Sequence, residues 1–208
     1  MQQQEVWDSI AASWNSFRKK PVKIAGKLAA KWKPGRILDI GCGNCRNLLP
    51  FAKAGFECWG VDFSNEMIKN AKKFCESNSI KVNLQQAKAE RLPFASWHFD
   101  YCLNIASLHN IENAEKRKIA LFEMRRVLKP GGKALVTVWN KLQLRFLFKP
   151  REYYIKWHID NKVYHRYYHL FTYFELKTLL KQTEFEILHS SGIFGRNLAF
   201  VVMKPISS

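Results

Sequence analysis

Between Leu38 and Asn47 the chain reads LDIGCGNCRN, and three kinds of chemistry compete for these residues. Cys42 and Cys45 form a C-x-x-C, the spacing of a redox dithiol or of half a zinc site. Asp39, Gly41 and Gly43 belong to a small-residue turn between an apolar run and a helix-forming segment, where nucleotide-like cofactors meet backbone N–H groups. A zinc site needs further ligands, and Cys58, Cys75 and Cys102 occur singly, with no second C-x-x-C and no H-x-H. A redox pair leaves Asp39 and Asp62 without a task. The cofactor reading uses them all: glycines let the backbone turn sharply and approach a ligand, and Asp62 closes the next apolar run, where it can accept both hydroxyl protons of a ribose. The five cysteines, in a chain whose N-terminal MQQQEVWDSI lacks the basic-then-apolar order of an export signal, are expected as reduced thiols of a cytoplasmic protein.

Such a loop must be carried by alternating strands and helices. Two helices are expected at the start, near Val6–Phe17 and Val22–Lys33. RILDI then reads as a buried strand, Asn44–Ala54 as a helix closed by Gly55, FECWGVD as a strand, and SNEMIKNAKKFCES as a helix capped by Ser64. KVNLQQA, FDYCLNIAS and KALVTVW continue the strands, with AEKRKIALFEMRRVL as the intervening amphipathic helix. Thr172 and Glu175 form a capping box for a helix through Lys181, and FEILHSS and LAFVVMK, joined by too few residues for a helical crossover, should pair antiparallel. The expectation is an α/β, Rossmann-like, doubly wound and mostly parallel seven-stranded sheet with a C-terminal antiparallel hairpin. It divides one domain, 1–208, into N-terminal helices (1–35), a cofactor-binding core (36–139), a basic and aromatic insertion (140–171) and a closing helix and hairpin (172–208).

Charge narrows the partners. Lys and Arg number 34 against 17 Asp and Glu, a formal net charge of +17. A polyanion gains from such an excess through counterion release, and nucleic acid is the first candidate, with an acidic membrane surface as competitor. Phe17–Lys33 carries Arg18, Lys19, Lys20, Lys23, Lys27, Lys31 and Lys33 without an acid, and Lys141–Phe171 interleaves bases with aromatic rings. No apolar run approaches the roughly 18 to 20 residues of a membrane span, so none is expected.

ILDIGCG, VDFS, AERLPF, FDYCLNIASLHNI and RVLKPGGKALVTVW, in this order and over roughly Arg36–Trp139, resemble the class I S-adenosylmethionine-dependent methyltransferases. The resemblance implies S-adenosylmethionine as cofactor and no metal. It places Gly41, Cys42 and Gly43 against the methionine part with Asp39 at the loop's base, Asp62 on the ribose, Phe63 and Met67 near the adenine, Ala89 at the adenine edge and Ile105 beside the sulfonium. Two positions depart from the pattern: Cys45 stands for the third loop glycine, and Lys88 for the acid that often meets the adenine amino group.

Beyond the core, VWDSIAASWNSFRKKP, SLHN, VWNKLQ and HRYYHLFTYFEL resemble the tRNA wobble-uridine carboxymethyl methyltransferases. That likeness implies tRNA as partner, methyl esterification of a carboxymethyl side chain, and a small zinc-ribbon activator protein as a further partner. It implies a clamp for the substrate carboxylate made of Arg18, His109, Arg166, Tyr167 and His169, with Arg18 alternatively on the cofactor's own carboxylate. Two other readings stay open: a small-molecule or lipid-quinone methyltransferase, and an RNA-binding subunit that keeps the fold without turnover.

Overall fold

A computed structural model describes residues 1–206. Its centre is a seven-stranded sheet of order β3-β2-β1-β4-β5-β9-β8. The strands are β1 (Arg36–Ile40), β2 (Glu57–Asp62), β3 (Asn83–Gln86), β4 (Phe99–Ile105), β5 (Leu128–Trp139), β8 (Glu186–Ser190) and β9 (Asn197–Met203). The first five run parallel, while β9 enters antiparallel between β5 and β8. The expected doubly wound sheet and its terminal hairpin are therefore present.

Both faces of this sheet are covered, which is why its central strands read as continuous apolar runs rather than alternating ones. In β1, Leu38 and Ile40 pack with Phe99, Val136 and the inner sides of α5 (Ala114–Val127) and α6 (Tyr173–Gln182). Ile37 points the other way, into a cluster with α2 (Lys23–Lys31), α3 (Leu49–Lys53) and α4 (Asn65–Ser77). The Ser64 and Thr172 caps form as expected: Ser64 Oγ accepts from Met67 N at 3.1 Å and Thr172 Oγ1 from Glu175 N at 3.3 Å.

Three local expectations are corrected. The helix expected over Asn44–Ala54 is a 3-10 turn at Arg46–Leu48 followed by the five-residue α3. Cys45 lies at φ 66°, outside helical space, and Pro50 has no N–H to give to the Arg46 carbonyl, so the α-helical ladder cannot start before Leu49. The first helix, α1 (Gln3–Ser16), begins earlier because the Glu5 carboxylate reaches back to Gln2 N. The insertion is a separate antiparallel hairpin, β6 (Glu152–Ile159) with β7 (Lys162–His169), turned by Asp160 at φ 49° and Asn161.

Helix α1 and this hairpin sit together over the carboxyl ends of the parallel strands. Gln3 accepts from Tyr167 N at 2.9 Å, Trp157 Nε1 donates to Ser13 Oγ at 2.7 Å, and Trp7, Ile10 and Ala11 pack with Met67 of α4. Asp8 accepts from Ser64 Oγ and Glu66 N, so α1 also grips the start of α4. Among the described residues no helix is long and apolar enough to cross a membrane.

Candidate active site

Strand order reverses between β1 and β4, and in open α/β sheets ligands bind at that reversal, outside the carboxyl ends. The glycine loop lies there. Gly41, at φ 74°, donates its N–H to the Val61 carbonyl at 2.8 Å, and a Cβ on it would meet Ser107 Oγ at 1.9 Å. No other residue fits that position. Gly43 N donates to Asp62 Oδ2 at 2.9 Å and Ser64 N to Oδ1 at 3.0 Å, so one buried carboxylate fixes both the loop and the start of α4. Each oxygen keeps a second lone pair for a ligand hydroxyl.

Cys45 takes the left-handed backbone that a third glycine would adopt freely, at a cost of ~1–2 kcal/mol. Its side chain and that of Cys42 are buried. A hydrogen bond from the Cys45 thiol is the largest influence on Cys42 and eases its ionisation, but burial together with the nearby Asp62, Asp39 and Cys75 outweighs it and raises Cys42 to about 11; Cys45 is raised well above the ordinary value too. Both remain thiols at neutral pH, unreactive in redox terms. Among the described residues no group of His, Cys, Asp or Glu is disposed to hold a metal.

Two adjoining cavities open beside the loop and share Gly41, Phe63, Ser107 and Asn110. The larger, about 370 Å³, is walled by Phe63, Ala87, Lys88, Ala89 and Glu90. It suits a flat heterocycle, and Glu90 is an acid on that wall that the sequence pattern, centred on Lys88, does not point to. The smaller, about 120 Å³, is lined by Asp62, Met67, Ile105, His109, Arg18 and Arg166, and also by Trp7, Trp14, Arg46, Trp139 and Tyr168.

Asp39 lies beneath the loop, and among the described residues neither of its carboxylate oxygens has a hydrogen-bond partner. Burial, opposed by Arg46 and reinforced by Asp62, raises it to about 7; burial also raises Asp62, to about 6, against its backbone donors. Two such carboxyls beside a loop fit a ligand that brings positive charge and a vicinal diol. They also set a pH signature for folding of the chain by itself. Between about pH 4 and pH 7 the unfolded chain has released protons that the folded chain retains, so stability falls as pH rises through that window. Replacing Asp39 by asparagine should flatten the fall in melting temperature over those pH values; an undiminished slope would show that Asp39 is not its source.

The smaller cavity is cationic. Arg166, 6% exposed, has no carboxylate within ion-pair distance among the described residues. Nη1 donates to Tyr168 Oη at 2.9 Å, the guanidinium stands 4.5 Å from the Trp157 ring centroid, and Nε has no partner. Burial lowers its pKa from the ordinary arginine value, yet arginine remains charged. Arg46 is lowered to about 10, first by burial and then by Arg18. Arg18 is brought to the cavity by Asn44, whose amide donates to the Arg18 carbonyl and to Asn15 Oδ1, both at 2.6 Å.

His109 is 1% exposed and its Nδ1 accepts from Trp139 N at 3.0 Å. Burial, then His169, lowers its pKa to about 3, so it is neutral and its proton sits on Nε2. It is a fixed donor and not a base.

The structure does not bring Tyr167 and His169 into this cavity. Successive β7 residues face opposite sides, so Arg166 and Tyr168 line the cavity while Tyr167 and His169 point away. Tyr167 Oη bonds Glu152 and accepts from Arg117 Nη1; His169 lies between Glu152 at 2.7 Å and Glu175 at 2.6 Å. That cluster supports β7 from behind. Asn110 reaches the cavity, and Tyr168 is both buried and part of the cavity wall.

Comparison with known proteins agrees with this geometry. The family profile described as "Methyltransferase domain" matches residues 38–136. A tRNA (carboxymethyluridine(34)-5-O)-methyltransferase of Xenopus tropicalis is 34% identical over 141 residues, 65% of this chain but 20% of that protein. A ubiquinone/menaquinone biosynthesis C-methyltransferase of Geotalea daltonii is 35% identical over 132 residues, 61% of this chain and 52% of the other. A candidate methyltransferase of Encephalitozoon cuniculi is 30% identical, covering 73% of this chain and 70% of its own length. The chain thus spans about a fifth of the Xenopus protein and about half of the Geotalea one. Among solved structures, a candidate methyltransferase of Haloferax volcanii, in complex with the Trm112 methyltransferase activator, superposes with a TM-score of 0.74 at 16% identity over 98% of each chain.

Proposed function

Because the chain belongs to the class I S-adenosylmethionine-dependent methyltransferases, we propose that it esterifies the carboxylate of a carboxymethyl-type side chain on the wobble uridine of tRNA, as a cytoplasmic enzyme. S-adenosylmethionine is its cofactor and supplies, when bound, an electrophilic methyl group on a sulfonium. Asp62 would hold the ribose diol, Phe63, Met67, Ala89 and Glu90 would hold the adenine, and Ile105 would serve the methyl-bearing part. Asp39 would answer the positive charge of the methionine portion, and Arg46 or Arg18 its carboxylate.

One observation carries the substrate class: Arg166, a buried arginine with no carboxylate in ion-pair distance among the described residues, in a cavity also lined by Arg18. A buried unpaired cation is costly, and an anionic substrate removes that cost. A carboxylate is ionised at neutral pH and needs no general base, in agreement with a neutral His109 whose Nε2–H can only donate. The chain's task is then to hold one carboxylate oxygen in line with the methyl group, with Arg166, Arg18, His109 and the Tyr168 hydroxyl as the groups that do so. The relatives named as carboxymethyluridine methyltransferases support this substrate. In the same proposal Tyr167 and His169 position β7 rather than touch substrate.

The charge supports nucleic acid as partner. Lys23, Lys27 and Lys31 form an exposed row along α2, about 6 Å apart by helical rise, beside Lys33 and Lys133. Raising monovalent salt from 50 to 200 mM should increase the KM for tRNA at least tenfold while leaving the cofactor Kd nearly constant. A KM flat in salt would favour the small-molecule or quinone reading, which the Geotalea relative keeps alive. The Haloferax complex supports a small activator as second partner. Copurification of a stable complex from native extract would establish it, and full activity of the isolated chain would make it dispensable.

A further inference from the structure

The cavity wall continues outward into a surface that the methyl-transfer chemistry does not use. Two loops form it, residues 141–151 after β5 and 192–196 between β8 and β9. They are tied together: the Asn140 amide donates to the carbonyls of Ile193 at 2.6 Å and Gly195 at 2.8 Å, and Gln143 Nε2 to that of Arg196 at 2.6 Å. On this frame Leu144, Phe148 and Phe194 are 91%, 93% and 89% exposed. Arg145, Lys149 and Arg196 alternate with them, and neither loop contains an acid. Large apolar side chains held so far into solvent on one tied frame mark a contact surface.

Stacked rings join this surface to the site. Tyr168 and Trp139, both on the cavity wall, stack at 4.3 Å and 1°. Trp139 stacks in turn on Phe146 at 5.6 Å, and the Arg145 guanidinium lies 4.6 Å from Trp139 and 4.3 Å from Phe146.

Resting on the tRNA reading above, we propose that the two loops are a platform for unpaired nucleotides flanking the one that enters the cavity. Phe148 and Phe194 stack on exposed base faces, and Arg145, Lys149 and Arg196 hold the intervening phosphates. Rings interleaved with cations at the rim of a cavity are how single strands are held without sequence readout. A duplex offers no free base faces, so the platform discriminates loop from stem.

The test uses the full chain with Phe148 and Phe194 both replaced by serine. Both side chains are exposed, so the melting temperature and cofactor Kd should stay at wild-type values. Binding of a carboxymethyluridine-bearing anticodon stem-loop, read by fluorescence anisotropy, should weaken at least about tenfold, while a blunt RNA duplex of equal length binds as before. Unchanged stem-loop affinity, in a wild type that binds and methylates it, would overturn the platform and leave the function intact. A wild type that neither binds nor methylates the stem-loop would overturn both. Loss of binding to vesicles of phosphatidylglycerol and phosphatidylcholine, with RNA binding unchanged, would assign the surface to a membrane and overturn the proposal.

Discussion

Replacing Arg166 by methionine is expected to reduce methyl transfer to a carboxylate substrate by roughly thirty- to several-thousand-fold, while cofactor affinity stays within about threefold of wild type. The size follows from the about 2–5 kcal/mol lost when one partner of a buried charge pair is removed. Methionine keeps most of the volume between Trp7, Trp157 and Tyr168, so the effect reports charge rather than a cavity. The folded chain should not suffer. Without an acid partner the guanidinium pays its desolvation alone, and the melting temperature should hold or rise. A variant that loses cofactor affinity and turnover in equal measure would instead make Arg166 part of the cofactor site. One that retains turnover would remove it from the clamp.

The second large effect is expected at Asp62. Its two oxygens accept from Gly43 N and Ser64 N, and the same carboxylate faces the cavity. Alanine there frees the glycine loop and deletes the ribose acceptor together. With about 1.5–3 kcal/mol for each hydrogen bond to a charged group, cofactor affinity should fall on the order of a hundred- to ten-thousand-fold. Calorimetry with S-adenosylhomocysteine, the product, measures this directly. A Kd within threefold of wild type would show that the loop is held by something other than Asp62.

The parallel core was legible because buried strands leave unbroken apolar runs and because only glycine satisfies a backbone such as that of Gly41. The C-x-x-C reads as part of a cofactor loop because of what it lacks, further ligands and a use for the neighbouring acids. The β6–β7 hairpin was harder to read. In β7 the period of two separates Arg166 and Tyr168 from Tyr167 and His169, but that rule applies only once the hairpin is recognised, and Asp160-Asn161 between alternating rings was its signal. Arg46, Trp7 and Trp14 reach the cavity through tertiary contacts that no local pattern encodes. Glu90 stands two residues beyond the position the family pattern emphasises, and it faces the cavity because of how the loop after β3 turns.

Substrate and reaction are tested together by incubating the protein, with and without a candidate activator, with S-adenosylmethionine labelled in its methyl group and tRNA bearing carboxymethyluridine, then digesting to nucleosides for mass spectrometry. A labelled, alkali-labile methyl ester on the wobble uridine is the predicted result. No label under either condition, from a protein that binds the cofactor, would contradict the assignment and transfer it to a small-molecule acceptor.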